Sequence, residues 1–203
     1  MKKVKLAIIY YSSTGTNYKL AKWAKDAAEE IGASVRMLKV EELAPDLAID
    51  SNPAWREHIN HTKDIPVATS EDLIWADAII FSVPTRFGNV PSQVKQFLDT
   101  QGGIWAQGKL ANKVVSAMSS AGNTHGGQAA TLQSLYTTMM HWGAIIVPPG
   151  YVDPCIYKAG GSPYGVVATI DQDGNILEDV EDAVRFQAQR TIKIASAVKK
   201  DFY

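Results

Sequence analysis

Cysteine, net charge and long apolar runs are all scarce in this sequence. One cysteine among 203 residues, Cys155, excludes an internal disulfide framework and a zinc site built from four cysteines. The 20 Lys and Arg residues against 21 Asp and Glu residues give a formal net charge of −1, so we expect no nucleic-acid partner. No apolar run approaches the roughly 18 residues that a spanning helix needs, so we expect no integral membrane segment.

The sequence does have enough apolar material to build a core. Its hydrophobic share is 46% and its charged share is 20%, which is typical of a folded chain. We predict one domain over residues 1–203, with insertions at about 41–70 and 150–179, and a cytoplasmic location. The basic and apolar start, residues 1–11, mimics a secretory signal but lacks a small-residue cleavage site.

Apolar strands alternate with amphipathic helices along the chain. Val4–Tyr11 and Asp77–Pro84 are apolar throughout, as strands covered on both faces must be. The other predicted elements are strands at Ser34–Val40, Lys113–Ser120 and Ala144–Val147, and helices at Asn17–Gly32, Pro91–Gln101, Gln128–Trp142 and Glu178–Lys200. This alternation predicts an α/β fold, namely a flavodoxin-like, five-stranded parallel sheet of order 2-1-3-4-5 with helices on both faces, a three-layer sandwich.

Three loops of unusual composition follow predicted strands one, three and four, where an open parallel sheet binds its ligand. The first loop is rich in hydroxyls, contains no Lys or Arg, and opens a helix. This composition favours a phosphate held by neutral donors over an ordinary capping turn. The candidate cofactor-binding residues of the first loop are Ser12, Ser13, Thr14, Gly15, Thr16 and Asn17.

The second loop (Pro84–Pro91) and the third loop (Ser119–Gly127) carry further candidates. The second loop holds groups that can bind the edge of a planar heterocycle, although a stiff turn with Arg86 in solvent explains it equally well. Glycines in the third loop let backbone N–H groups approach a ligand closely. The candidate cofactor-binding residues are Pro84, Thr85, Arg86, Phe87, Gly88 and Asn89 in the second loop, and Ser120, Ala121, Gly122, Asn123, Thr124, Gly126 and Gly127 in the third.

These segments carry a resemblance to a known family. The first loop resembles the phosphate loop of flavodoxin-like proteins. The second loop, Gly102–Ala106, Ser119–Gln128, and the segments 141–143 and 160–165 resemble the WrbA-type (tryptophan-repressor-binding-protein) flavoproteins. Members of that group are NAD(P)H:quinone oxidoreductases that use FMN, and the resemblance spans nearly the whole chain.

The resemblance implies specific roles for residues of this sequence. FMN phosphate would bind at the first loop and the isoalloxazine ring between the second and third loops, with His141 also in the cofactor-binding set. Trp105 and His141 would be the catalytic residues, and Phe87, Trp105 and His141 would bind the quinone. The family forms dimers in equilibrium with tetramers, and Trp105 would reach a neighbouring subunit's flavin.

The sequence departs from the family at two places and leaves other functions open. Thr14 stands where the family commonly has an aromatic residue, and the third loop is longer, so NADH and NADPH are both open as reductants. The alternatives are a long-chain flavodoxin-type electron carrier, a non-enzymatic regulator-binding flavoprotein, and an FMN-dependent reductase of nitro or azo compounds. The neutral charge balance disfavours the electron carrier, because such carriers are strongly acidic.

Three remaining residues are not predicted to carry chemistry. His58 and His61 have the i, i+3 spacing of metal ligands but no identifiable third ligand, so we predict a solvated face and no metal site. Cys155 has no flanking cation or base, which disfavours a catalytic thiol.

Overall fold

The computed structural model describes residues 3–202, which form six strands and nine helices. The strands are β1 (Lys5–Tyr10), β2 (Ser34–Lys39), β3 (Ala78–Pro84), β4 (Val114–Ala121), β5 (Ile145–Ile146) and β6 (Val167–Thr169). The helices are α1 (Thr16–Glu30), α2 (Asp46–Asp50), α3 (Pro53–His61), α4 (Ser70–Trp75), α5 (Ser92–Asp99), α6 (Gly102–Ala106), α7 (Gln128–His141), α8 (Pro154–Lys158) and α9 (Glu181–Phe202). Among these residues, no helix is both long enough and apolar enough to cross a membrane.

All strand pairs in the sheet are parallel, in the order β2-β1-β3-β4-β5. This order confirms the predicted flavodoxin-like α/β fold. The sequence did not predict β6, which pairs with the carboxyl half of β4, while β5 pairs with its amino half. The segment between β5 and β6 therefore interrupts the edge strand of the sheet.

The core lies on both faces of the sheet, because side chains of a strand alternate between faces. Leu6, Ile8 and Tyr10 of β1 pack into a cluster with α1 and α9. Ala7 and Ile9 pack into a second cluster with α4, α5 and α7. The two clusters confirm the three-layer arrangement, and they explain why β1 and β3 are apolar at nearly every position.

The two predicted insertions contain short helices with local capping signals. Asn52 accepts hydrogen bonds from the N–H groups of Ala54 and Trp55, and Pro53 occupies the first turn of α3. The second inserted segment holds α8 and a hairpin after β6, in which Ile170 and Ile176 form an antiparallel bridge. One further helix that the sequence did not predict is α6, which contains Trp105.

Candidate active site

The first loop exposes a set of free backbone donors at the start of α1. Gly15 adopts φ of +103°, a left-handed conformation suited to glycine, and its N–H donates to Ser12 Oγ at 3.0 Å. Lys19 is the first residue of α1 whose backbone N–H makes an i to i−4 hydrogen bond; it donates to the Gly15 carbonyl oxygen at 2.9 Å. Within residues 3–202, the N–H groups of Thr16 and Asn17 have no acceptor, as helix geometry requires. These donors and the helix dipole suit a phosphate.

Asn17 uses its side chain to fix the first loop to the sheet. It is 1% exposed, and its Nδ2 donates to Ser120 Oγ at 2.7 Å. Ser82 Oγ donates to the Asn17 carbonyl oxygen at 2.9 Å. The predicted cofactor-binding role of Asn17 is therefore left to its backbone N–H, while its amide ties α1 to β3 and β4.

The second loop is a tight turn with an exposed aromatic tip. Arg86 and Asn89 exchange backbone hydrogen bonds of 2.8 and 3.0 Å. Phe87 has φ of +53° and is fully exposed, a strained conformation for a non-glycine residue. The Arg86 guanidinium donates to Ser13 Oγ at 3.3 Å, so it lies over the first loop. Arg86 thus brings a positive charge to the first loop, which has no charged residue of its own.

The third loop packs against the second so closely at Gly127 that this position has no room for a side chain. A Cβ on Gly127 would lie 2.8 Å from Gly88 Cα, and Gly127 has φ of +92°. Thr85 N–H donates to the Ser120 carbonyl oxygen at 2.8 Å, which joins the starts of both loops. The rest of the predicted loop, 122–125, is exposed. The structure therefore places the three predicted loops at one edge of the sheet.

A cavity of about 180 Å³ lies between the three loops, lined by residues that include Ser12, Thr14, Thr16, Arg86, Ser120 and Gly122. It is smaller than the roughly 300 Å³ typical of whole small-molecule sites. Its hydroxyls, free N–H groups and guanidinium match a phosphate and a sugar alcohol, and the exposed face of Phe87 is open to a planar ring. The residues present fit FMN: the N–H groups and hydroxyls of the first loop would hold its phosphate, and Phe87 would lie beside its ring.

Trp105 and His141 contact each other but lie far from the three loops. Trp105 Nε1 donates to the His141 carbonyl oxygen at 2.8 Å. His141 ends the 14-residue α7, whose start adjoins the third loop, so about 21 Å separates the two ends. The carbonyl oxygen of Gly143, two residues after His141, accepts a hydrogen bond from the N–H of Asn112, which precedes β4. Trp105 and His141 therefore lie towards the amino ends of the strands, opposite the three loops. Within one chain, the two residues do not reach a ring bound at the loops.

Sequence reasoning missed Glu42, a carboxylate from the first inserted segment that supports the first loop. Glu42 accepts hydrogen bonds from Gln93 Nε2 at 2.7 Å, Tyr11 OH at 3.0 Å and Trp55 Nε1 at 3.2 Å. Burial raises the pKa of the Tyr11 hydroxyl to about 12, which keeps it protonated as a donor. Since Tyr11 immediately precedes Ser12, the network fixes where the first loop begins. No motif marks such a residue in the sequence.

The remaining candidates show no catalytic arrangement. Burial raises the pKa of the Cys155 thiol to about 12, so little of the reactive thiolate forms near neutral pH. Among the described residues, no group of three or more His, Cys, Asp or Glu side chains is placed to hold a metal ion. His58 and His61 pack against the ring of Tyr18, and the predicted solvated face is wrong for His58, which is buried, whereas His61 is exposed.

Comparison with known proteins identifies the family of this chain. The family model described as NADPH-dependent FMN reductase matches residues 4–153. The chain belongs to the NADPH-dependent FMN reductase family. A Deinococcus radiodurans protein named NAD(P)H dehydrogenase (quinone) is 52% identical over 194 residues, which cover 95% of this chain and 96% of that relative.

Other proteins similar to this FMN reductase family member carry the same name or share its fold. A Brucella abortus protein, also named NAD(P)H dehydrogenase (quinone), is 38% identical over 203 residues, which cover 95% of this chain and 98% of that relative. The crystal structure of a WrbA-like flavodoxin from Agrobacterium tumefaciens has a TM-score of 0.61 at 20% identity and covers 98% of this chain and 99% of its own. These comparisons confirm the predicted family and fold.

Proposed function

We propose that this chain is an FMN-dependent NAD(P)H:quinone oxidoreductase. The observation that carries the proposal is the set of free N–H groups and hydroxyls that converge from three loops at one edge of the sheet. Curated relatives at 52% and 38% identity bear the name NAD(P)H dehydrogenase (quinone). FMN supplies the redox chemistry when bound, taking a hydride from NAD(P)H and passing two electrons to a quinone.

The residues of this chain bind and orient the cofactor in the proposal. The N–H groups of Thr16 and Asn17 and the hydroxyls of the first loop hold the phosphate dianion. Arg86 lies over the same loop and adds positive charge. The packed second and third loops leave one face of the ring open beside Phe87. NAD(P)H and quinone then use that face in turn, which gives ping-pong kinetics.

The proposal includes a homo-oligomer, dimer to tetramer, in which a second copy completes the site. Trp105 and His141 lie too far from the loops of their own chain to act there. In a neighbouring copy, the indole and imidazole would cover the open face of the ring and line an apolar quinone pocket. His141 would hydrogen-bond a quinone oxygen. The lone Cys155 favours a cytoplasmic location for this enzyme.

Absorbance and turnover of the purified protein test the proposal. We expect a yellow protein that releases FMN on denaturation and oxidises NADH or NADPH only when benzoquinone is added. Parallel initial-rate lines would show the two substrates using one face. A protein that binds FMN but turns over no quinone would contradict the enzyme assignment, and a protein that binds no flavin would contradict the whole proposal.

A further inference from the structure

A second, larger cavity lies on the other side of the first loop. It measures about 540 Å³, which is within the roughly 300–1,000 Å³ of small-molecule sites. We call it the α1 groove; it is lined by Thr14, Thr16, Lys19, Lys22, His58 and His61 together with the tip of the hairpin at 174–176. Its walls are α1 and parts of both inserted segments. The two segments that exceed a minimal sheet-and-helix fold therefore converge on one surface.

The lining of the α1 groove suits an anion. Two lysines, Lys19 and Lys22, supply its positive charge, and no carboxylate lines it among the residues that the structure describes. Lys22 Nζ is held 3.1 Å from Asp26, and Lys19 Nζ lies 4.9 Å from the centre of the Trp23 ring. Each ammonium group has three donors, so these contacts leave donors for a ligand. The amino end of α1 adds the positive end of its dipole.

His58 lines the α1 groove where it meets the first loop. It is only 8% exposed, and no hydrogen-bond partner for its imidazole nitrogens is found within residues 3–202. Its Nδ1 lies 3.6 Å from the position a Cβ on Gly15 would take, directly against the first loop. Its imidazole nitrogens are not sealed from solvent, so they can hydrogen-bond a ligand that enters the groove.

We propose that the α1 groove binds the adenosine 2′-phosphate end of NADPH and gives the enzyme a preference for NADPH over NADH. This inference rests on the proposed function. The groove and the cavity at the three loops share Thr14 and Thr16, so a dinucleotide lying on the flavin can extend past the first loop into the groove. NADPH carries one phosphate dianion that NADH lacks, and Lys19 and Lys22 supply the charge that such a group requires.

Steady-state kinetics of the holoenzyme with both reductants test the inference. We expect the double variant Lys19→Met and Lys22→Met to lose about 10-fold in kcat/KM for NADPH and less than about twofold for NADH. Lys25→Met is the matched control, because Lys25 also forms an i, i+4 pair, with Glu29 at 2.7 Å, but lies outside the groove. Equal losses with both reductants, or equal losses in the control, would overturn the inference.

Calorimetric titration of the holoprotein gives a readout that does not depend on turnover. We expect 2′,5′-ADP to bind at least about tenfold more tightly than 5′-ADP, and the double variant to abolish the difference. Inorganic phosphate that binds as tightly as 2′,5′-ADP would reveal a plain anion site and overturn the nucleotide assignment. Failure of the wild type to bind FMN or reduce quinone would count against the proposed function, whereas an active enzyme without 2′-phosphate discrimination would count against the α1 groove alone.

Discussion

The indole nitrogen of Trp105 donates a hydrogen bond to the backbone carbonyl oxygen of His141 at 2.8 Å, which joins α6 to the last turn of α7. The bond fixes the direction of the indole ring, yet Trp105 stays 52% exposed in the single chain. An oriented aromatic side chain left at the surface is well suited to cover a group on another copy. Under the proposed function, this indole would complete the site of a neighbouring copy.

Replacing Trp105 by alanine should separate turnover from cofactor binding. We expect Trp105→Ala to lower kcat/KM for benzoquinone about 10-fold, because the apolar wall of the quinone pocket is lost. The dissociation constant of FMN should change less than about twofold, since Trp105 does not reach the loops of its own chain. Flavin fluorescence titration and stopped-flow reoxidation measure the two quantities. Leu47→Ala, at another exposed apolar residue, should change neither.

Mixed oligomers should recover activity that neither parent variant has. Trp105→Ala chains keep an intact cofactor site, whereas Gly127→Val chains keep Trp105 but lose the packing of the second and third loops. In a mixed assembly, a flavin on the first kind of chain can meet the Trp105 of the second. We expect quinone reduction to rise when the two proteins are dissociated together and reassembled. A mixture no more active than the average of its parents would place Trp105 in the site of its own chain.

Gly127→Ala should weaken FMN binding because the added methyl group meets the second loop. Its Cβ would lie 2.8 Å from Gly88 Cα, and the residue sits at φ of +92°. We expect a loss of about 2 kcal/mol in the free energy of unfolding and a similar loss in FMN binding. The control is Gly32→Ala beyond the end of α1, where φ is also positive, at +86°, but nothing lies within 4 Å of the new Cβ. Equal FMN affinities for the two variants would contradict a role for loop packing.

The fold could be predicted from the sequence because buried parallel strands have a distinctive apolar pattern. Val4–Tyr11 and Asp77–Pro84 contain the strands β1 and β3, and the periodicity of residues 17–32 marks α1. The short edge strand β6 could not be predicted in this way. β6 has only three residues and pairs with β4 beyond an intervening segment, so its pairing partner decides its existence more than its own sequence does.

The three loops of the candidate site were also predictable, because glycines and hydroxyls between a strand and a helix have a direct physical use. The residues that support these loops from elsewhere in the chain were not predictable. Glu42 lies 31 residues from Tyr11 in sequence, and nothing local indicates that the two meet. The α1 groove joins α1, α3 and a hairpin that are each unremarkable alone. Contacts between distant inserted segments depend on tertiary packing, which a single sequence does not display.

Glu42→Gln should loosen the first loop although Glu42 lines no part of its cavity. The carboxylate accepts hydrogen bonds from the side chains of Gln93, Tyr11 and Trp55. The amide of a glutamine would replace one carboxylate oxygen with an NH₂ group, which would then face one of these donors. We expect a loss of about 1–3 kcal/mol in the free energy of unfolding, with weaker FMN binding. Urea denaturation and flavin titration measure both. The exposed neighbour Glu41 gives the control Glu41→Gln, and equal effects in the two variants would contradict this role.

The stability of the protein should fall as the pH drops below about 6.5, because His58 is held neutral in the fold. Burial, with smaller contributions from the nearby His61 and Lys39, lowers the pKa of His58 from its usual value of 6.5 to about 4. Between these two values the unfolded chain binds a proton that the folded chain does not, so stability rises with pH across this window. The difference amounts to about 2 kcal/mol between pH 8 and pH 5 from this residue.

Urea denaturation of wild type and His58→Gln at pH 8 and pH 5 isolates the contribution of His58. Acidic groups that lose hydrogen bonds in acid destabilise both proteins equally, so only the difference between the two pH dependences reports on this imidazole. We expect that difference to be about 2 kcal/mol, with the variant less sensitive to acid. His61→Gln serves as the control, because His61 is more exposed and its loss removes only one of the charges that act on His58. A wild type and a His58→Gln variant that lose the same stability in acid would contradict a lowered pKa for His58 in the folded protein.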